Sequence, residues 1–144
     1  MICQNDSLLY MNVYSKSYRF PYKQMSTAFH DFSTLFRKNN LTATGNLFYS
    51  IEWVNKDADM VIEVFQSAKE GFLPNSGMNY QSYFLIHHMS SVVVLNDFEK
   101  NVERAYELLM NDAKKMKLKV CTPFFHEIHK IKGLSYCVVK ALIS

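Results

Sequence analysis

Residues 17–32 read SYRFPYKQMSTAFHDF, and two periodicities meet inside them. Up to Phe20 the chain continues an alternation that begins at Leu8. Leu9, Met11, Val13, Ser15 and Ser17 would share one face, and Tyr10, Asn12, Tyr14, Lys16 and Tyr18 the other. Period two sustained this far predicts a strand over 8–20, because successive side chains of extended backbone point to opposite sides. Beyond Pro21 the spacing changes. Met25, Phe29, Phe32 and Phe36 follow at steps of four, three and four, which makes one apolar stripe on a helix of about five turns ending near Asn39-Asn40. Proline fixes φ and has no backbone donor, so Pro21 is expected in the first turn of that helix.

The same alphabet continues outward. TGNLFYSIEW (44–53) predicts a strand opened by a Gly-Asn turn, VNKDAD a turn, and MVIEVFQSA (60–68) the returning strand of a hairpin. KEGFLPNSGMN (69–79), with two Gly, one Pro and two Asn, predicts a crossover. The order then recurs. YQSYFLIHHMSSVVVL (80–95) reads as a strand, and Asn96 with Glu99 as a helix start, the Asn oxygen capping a free N–H and the carboxylate favouring the positive helix end. Phe98, Val102, Ala105 and Leu109 repeat the steps of four, three and four. TPFFHEIHKI (122–131) and LSYCVVKALI (134–143) form a second hairpin across Lys132-Gly133. Neither half has enough apolar surface of its own to cover both a sheet face and a helix stripe. The expected fold class is therefore α+β within one domain, 1–144. A duplicated β-α-β-β unit, 8–68 and 80–143, is joined by the crossover 69–79. Its antiparallel sheet would be shared, with two helices on one face.

Composition narrows the function classes. A chain with 49% hydrophobic and 20% charged residues has the balance of a soluble globular protein. Its net charge of +3 is too small to argue for nucleic acid. The basic run KKMKLK (114–119) sits where a helix should end, and cations favour the negative end of a helix. Three cysteines, Cys3, Cys121 and Cys137, include no C-x-x-C, and MICQNDSLLY lacks the basic and apolar regions of a signal peptide. No apolar run reaches the length of a membrane span. A cytoplasmic location, no membrane and no nucleic acid are the expectations. His87, His88, His126 and His129 have no spacing that makes ready ligand pairs on a strand, so neither a metal nor another cofactor is expected.

The order of elements resembles the GyrI-like effector-binding fold, also found as the ligand domain of multidrug-sensing transcription regulators. That family has two strand-helix-strand-strand units and an RGPY corner ahead of the first helix. Arg19-Phe20-Pro21-Tyr22 matches at three of four positions, with Phe20 in place of Gly. The late FExY strand has a counterpart in Phe125-His126-Glu127-Ile128-His129, with one residue inserted and His in place of Tyr. The chain also resembles a group of small Gram-positive proteins encoded near type VII secretion genes. The GyrI-like resemblance implies a carboxylate on a late strand that meets lipophilic cations, and Glu127 is the positional counterpart. No DNA-binding domain is expected ahead of the module.

Three strands carry Glu among bulky apolar residues. Phe48 and Ser50 lie beside Glu52, Val61 and Phe65 beside Glu63, and Phe125 and His129 beside Glu127. A carboxylate among aromatic rings attracts a cation through its charge and through the ring faces, although the same alternation is ordinary on the wet face of a sheet. The candidate ligand-binding residues are Glu127, Tyr10, Tyr14, Tyr18, Glu52, Glu63 and Trp53. No nucleophile elbow, P-loop or H-E-x-x-H is present, so no catalytic residue is assigned. The first functional reading is a non-catalytic protein-interaction accessory factor linked to type VII secretion. The alternative is a binder of small lipophilic molecules, cations included, in an aromatic-acidic groove. A small hydrolase ranks third. The partner is thus an unidentified protein or a small lipophilic ligand, with a homodimer as an option.

Overall fold

A computed structural model describes residues 1–21, 24–53 and 59–144. Its elements in chain order are β1 (Ile2–Pro21), α1 (Met25–Lys38), β2 (Ala43–Trp53), β3 (Asp59–Ala68), β4 (Asn79–Val94), α2 (Phe98–Lys115), β5 (Phe124–Ile131) and β6 (Leu134–Leu142). They group into two units, one of residues Leu9–Phe84 and one of Met1–Leu8 with Leu85–Ser144. Each unit is α+β and antiparallel, and the strand order is the same in both: β1-β3-β2 in the first and β4-β6-β5 in the second. This is the duplicated β-α-β-β fold class that the sequence predicts. No helix among the described residues is long and apolar enough to cross a membrane.

In the Leu9–Phe84 unit β3 is central. It pairs with β1 from Val13↔Ser67 to Pro21↔Asp59, and with β2 from Phe48↔Phe65 to Trp53↔Met60. The even residues of β3 face α1. Met60, Ile62, Val64 and Ala68 pack with Ala28, Phe32, Phe36 and Tyr14 as a buried core. Each such Phe contributes roughly 1.5–3 kcal/mol through burial. Polar ties fix the helix across β1: the Tyr18 hydroxyl donates to Asp31 at 2.6 Å, and the Lys16 ammonium lies 3.1 Å from the same carboxylate. In the second unit Val92, Val94, Ala105, Leu109, Cys137 and Val139 form the equivalent core beneath α2. His126, fully buried on β5, is hydrogen-bonded to Tyr106 of α2.

Both helices stop in the same way. Asn40 (φ 55°) and Lys117 (φ 58°) are left-handed. Leu41 N–H donates to the Phe36 carbonyl at 3.1 Å and Leu118 N–H to the Ala113 carbonyl at 2.8 Å, the six-to-one bond of a Schellman ending. The first strands of the two units match as well, with Asn12 (φ 52°) and His88 (φ 58°) left-handed inside β1 and β4.

Several boundaries differ from the sequence reading. Pro21 ends β1 and is not in the first turn of α1, which begins at Met25. A strand end tolerates the missing N–H as well as a helix start does. Tyr22, the last residue of the corner motif, lies outside the described residues. Helix α2 begins after Asp97 (φ 45°), and no side chain caps it. Asn96 instead accepts from the Asn101 side chain through its carbonyl, at 2.7 Å. Phe98 is exposed, and the buried stripe runs Ala105, Leu109 and Ala113. Strand β1 begins earlier than predicted, at Ile2.

Candidate functional site

Left-handed Asn12 decides which tyrosines share a face of the strands. A single residue at positive φ interrupts the pleat, so the alternation before it is out of phase with the alternation after it. Tyr14 and Tyr18 therefore pack on the α1 side. Tyr14 is wholly buried, its hydroxyl donating to the Gly71 carbonyl at 2.5 Å, and Tyr18 is held by Asp31. Burial, then the Asp31 bond, push the Tyr18 phenol well above its ordinary range. Tyr10 points to the other side of the strands and stacks on Phe48. The expectation that Tyr10, Tyr14 and Tyr18 share a face is corrected: the structure keeps Tyr10 apart from the other two.

On that second face of the Leu9–Phe84 unit the rings form a continuous stack. Tyr10 and Phe48 are 4.9 Å apart, Phe48 and Phe65 4.6 Å apart with planes 3° from parallel, and Phe84 is tilted against both at 5.2 and 5.1 Å. Gly45 (φ +65°) makes room for Tyr10, since a Cβ there would come within 2.9 Å of the tyrosine ring. Such contacts contribute ~0.5–1.5 kcal/mol per pair beyond burial. Next to the stack stand two acids. Glu63 is two residues from Phe65 along β3, and Glu52 sits diagonally from it, because Ser50 is opposite Glu63 and Glu52 opposite Val61. Burial holds the Glu63 carboxyl above the usual range, the Ser15 hydroxyl opposes this, and the Glu52 charge adds to it. Ser15 is itself 1% exposed, and its hydroxyl has no well-formed hydrogen bond. Among the described residues Glu63 makes no ion pair. Trp53 ends β2, and its side chain lies outside the described residues.

The second unit places Glu127 differently. Its side chain and that of Lys140 are both buried, and Lys140 Nζ lies 3.0 Å from Glu127 Oε1. Lys140 also donates to the Ser7 carbonyl at 2.8 Å and lies 3.5 Å from Asp6 Oδ1. His129 Nε2 is 2.6 Å from Glu127 Oε1, and the His129 ring stacks on Tyr136 at 4.8 Å. Burial raises the Asp6 carboxyl, but bonds from Ser91 and the Ser7 N–H, with the Lys140 charge, outweigh it and hold Asp6 below its ordinary value. Glu127 thus belongs to a cluster that contains its own cation.

Register shows how the two units diverged. Ser15, Phe65 and Phe48 lie side by side on β1, β3 and β2. Their counterparts on β4, β6 and β5 are Ser91, Lys140 and Phe125. Serine and the outer phenylalanine recur, while a ring in one unit is replaced by an ammonium in the other. Lys140 escaped sequence reasoning. Its signal was there, as a lone cation at an inward position of the run CVVKALI. Phe84 was missed because the left-handed residue that phases its strand, His88, has no sequence signature.

A family model, "Domain of unknown function (DUF5085)", matches residues 9–143, and the chain belongs to this family. No curated protein matches the sequence. Among solved structures the chain is similar to the EcmrR C-terminal domain, with a TM-score of 0.71 at 13% identity, covering 97% of this chain and 98% of that one. It is similar also to EcmrR in the cryo-EM structure of an EcmrR–DNA complex in EcmrR-RPo (TM-score 0.74, 13% identity), where the likeness covers 97% of this chain and 57% of that one. A third similar structure is that of a hydrolase from Listeria innocua, with a TM-score of 0.58 at 9% identity, covering 97% of this chain and 91% of that one. At these identities the likeness establishes the fold. Neither the family description nor these structures speaks to type VII secretion or to a protein partner.

Proposed function

We propose that this member of the DUF5085 family is a non-catalytic ligand-binding module that takes a small lipophilic molecule carrying a positive charge. The observation that carries this reading is the helix-free face of the Leu9–Phe84 unit, where stacked rings adjoin two carboxylates. Apolar walls with a few convergent polar groups are the general form of a small-molecule site. Ring faces and carboxylates both favour a delocalised cation. The fold shared with the EcmrR C-terminal domain is compatible with a binding role. The hydrolase among the structural neighbours is similar at 9% identity, a likeness that speaks to the fold alone.

Thermal unfolding of the whole chain with a panel of neutral and cationic lipophiles tests the proposal. A ligand that binds only the folded state at a hundred times its Kd adds about 2.7 kcal/mol, which moves Tm by several degrees at this chain length. The expected result is such a rise with at least one cationic member. A flat response across the panel would defeat the reading.

A further inference from the structure

We infer that Glu63, assisted by Glu52, is the acid that faces the ligand, and that Lys140 withdraws Glu127 from that role. The inference rests on the functional reading above and specifies which residues set its charge preference. It reverses the positional expectation from the late-strand motif, which pointed to Glu127.

Three observations support it. First, the two carboxylates differ in what already neutralises them. Glu127 is buried against an ammonium 3.0 Å away, which also holds the Ser7 carbonyl, and a histidine nitrogen takes the same oxygen. A ligand cation approaching it would meet Lys140 at close range and lose most of the attraction. Glu63 has a second carboxylate for its diagonal neighbour and, among the described residues, no ion pair. Two like charges on one sheet face destabilise each other, and a cation placed between them relieves both. Second, Ser15 is buried beside Glu63 with its hydroxyl lacking a well-formed bond. A buried hydroxyl is ordinarily fully satisfied, so Ser15 adds a second polar group beside the acid that a ligand or its water can complete. Third, the register equivalence shows Lys140 standing where the first unit has Phe65. The unit that kept the ring has two acids without an ion pair among the described residues, with Arg19 diagonal to Glu63 on the same face, and the unit that lost it has the internal counter-ion.

The test uses two probes of nearly the same size and opposite charge, tetraphenylphosphonium and tetraphenylborate, titrated against the full chain by calorimetry. The wild type is expected to bind the phosphonium and to bind the borate at least ten-fold more weakly. Glu63→Gln should weaken the phosphonium ten-fold or more and narrow the gap between the probes, and Glu52→Gln should do so by a few-fold. The double variant Glu127→Gln/Lys140→Met removes both charges of the buried pair and should hold the phosphonium within two-fold of wild type. Phosphonium binding that survives Glu63→Gln but is lost in the double variant overturns the inference and leaves the functional reading standing. If the wild type binds neither probe, both fail together. If the double variant does not fold, Glu63→Gln decides alone, and an unchanged phosphonium affinity overturns the inference.

Discussion

Lys140 shows how one residue changes the meaning of another. Buried ion pairs add little net stability over apolar replacements, but removing one partner strands the other in a medium that does not solvate it. We expect Lys140→Met alone to destabilise the chain by about 3 kcal/mol, since the Glu127 carboxylate would stay buried without its ammonium partner. Adding Glu127→Gln should restore most of that loss. Urea unfolding of the two single variants and the double reads this directly. Additive losses in the double would mean that the two residues do not act as a pair. Glu127 was legible in the sequence as an acid among apolar neighbours, because alternation alone puts it on a face with Phe125 and His129. Its partner was not. Strand spacing shows the side a residue takes, whereas the meeting of Lys140 with Glu127 and Asp6 depends on cross-strand register, which alternation leaves open. Glu63 and Glu52 were legible by the same alternation, but that neither makes an ion pair among the described residues is a fact of the folded arrangement.

Elements were the most legible level, and their endings explain why. Apolar periodicity placed both helices and the hairpin strands within a few residues, because burial of one stripe or one face imposes the period. Left-handed residues carry no periodic signal. Asn12 and His88 rephase their strands, and Lys117 ends α2 in a conformation that lysine seldom adopts. The αL region costs a non-glycine residue roughly 1–2 kcal/mol, and replacement by glycine returns part of it after the greater freedom of the unfolded chain is counted. Lys117→Gly should therefore raise stability by about 0.5 kcal/mol. Asn12→Val should lower it by about 2 kcal/mol, because a β-branched residue resists positive φ and the Tyr80 hydroxyl loses its 2.6 Å bond to the Asn12 side chain. Thermal melts of the two variants check both signs. A neutral Asn12→Val would show that the strand does not need the left-handed residue, and the separation of Tyr10 from Tyr14 and Tyr18 would then lack its cause.

At the scale of the whole molecule, four carboxylates among the described residues depart from their ordinary values, and they sort into two groups with opposite effects on stability. Asp6 and Asp31 sit below their ordinary value of 3.8, and Glu70, bonded to the Thr42 N–H, sits below 4.5. A depressed group stabilises the fold above its unfolded pKa, and that contribution is lost as pH falls through the folded value. Together they predict acid lability that sets in below about pH 4. Glu63 runs the other way. Its folded pKa is raised above 4.5, so its contribution is fully present below the unfolded value and is lost as pH rises through the folded one. At neutral pH the ionised Glu63 is a net burden on the unliganded protein. Glu63→Gln should therefore raise Tm at pH 7, with the gain shrinking as pH falls through the raised folded pKa and gone below the unfolded value of 4.5, where Glu63 is protonated in both states. A cation bound at the wild-type face should remove the same burden, so its stabilising effect should exceed the one it gives Glu63→Gln, and the gap should close in acid. Melting curves of both proteins from pH 4 to 8, with and without tetraphenylphosphonium, carry the comparison. A Glu63→Gln variant that is less stable than wild type at pH 7, by as much as at pH 4, would mean that this carboxylate serves the fold, and the ligand-facing acid would have to be sought elsewhere.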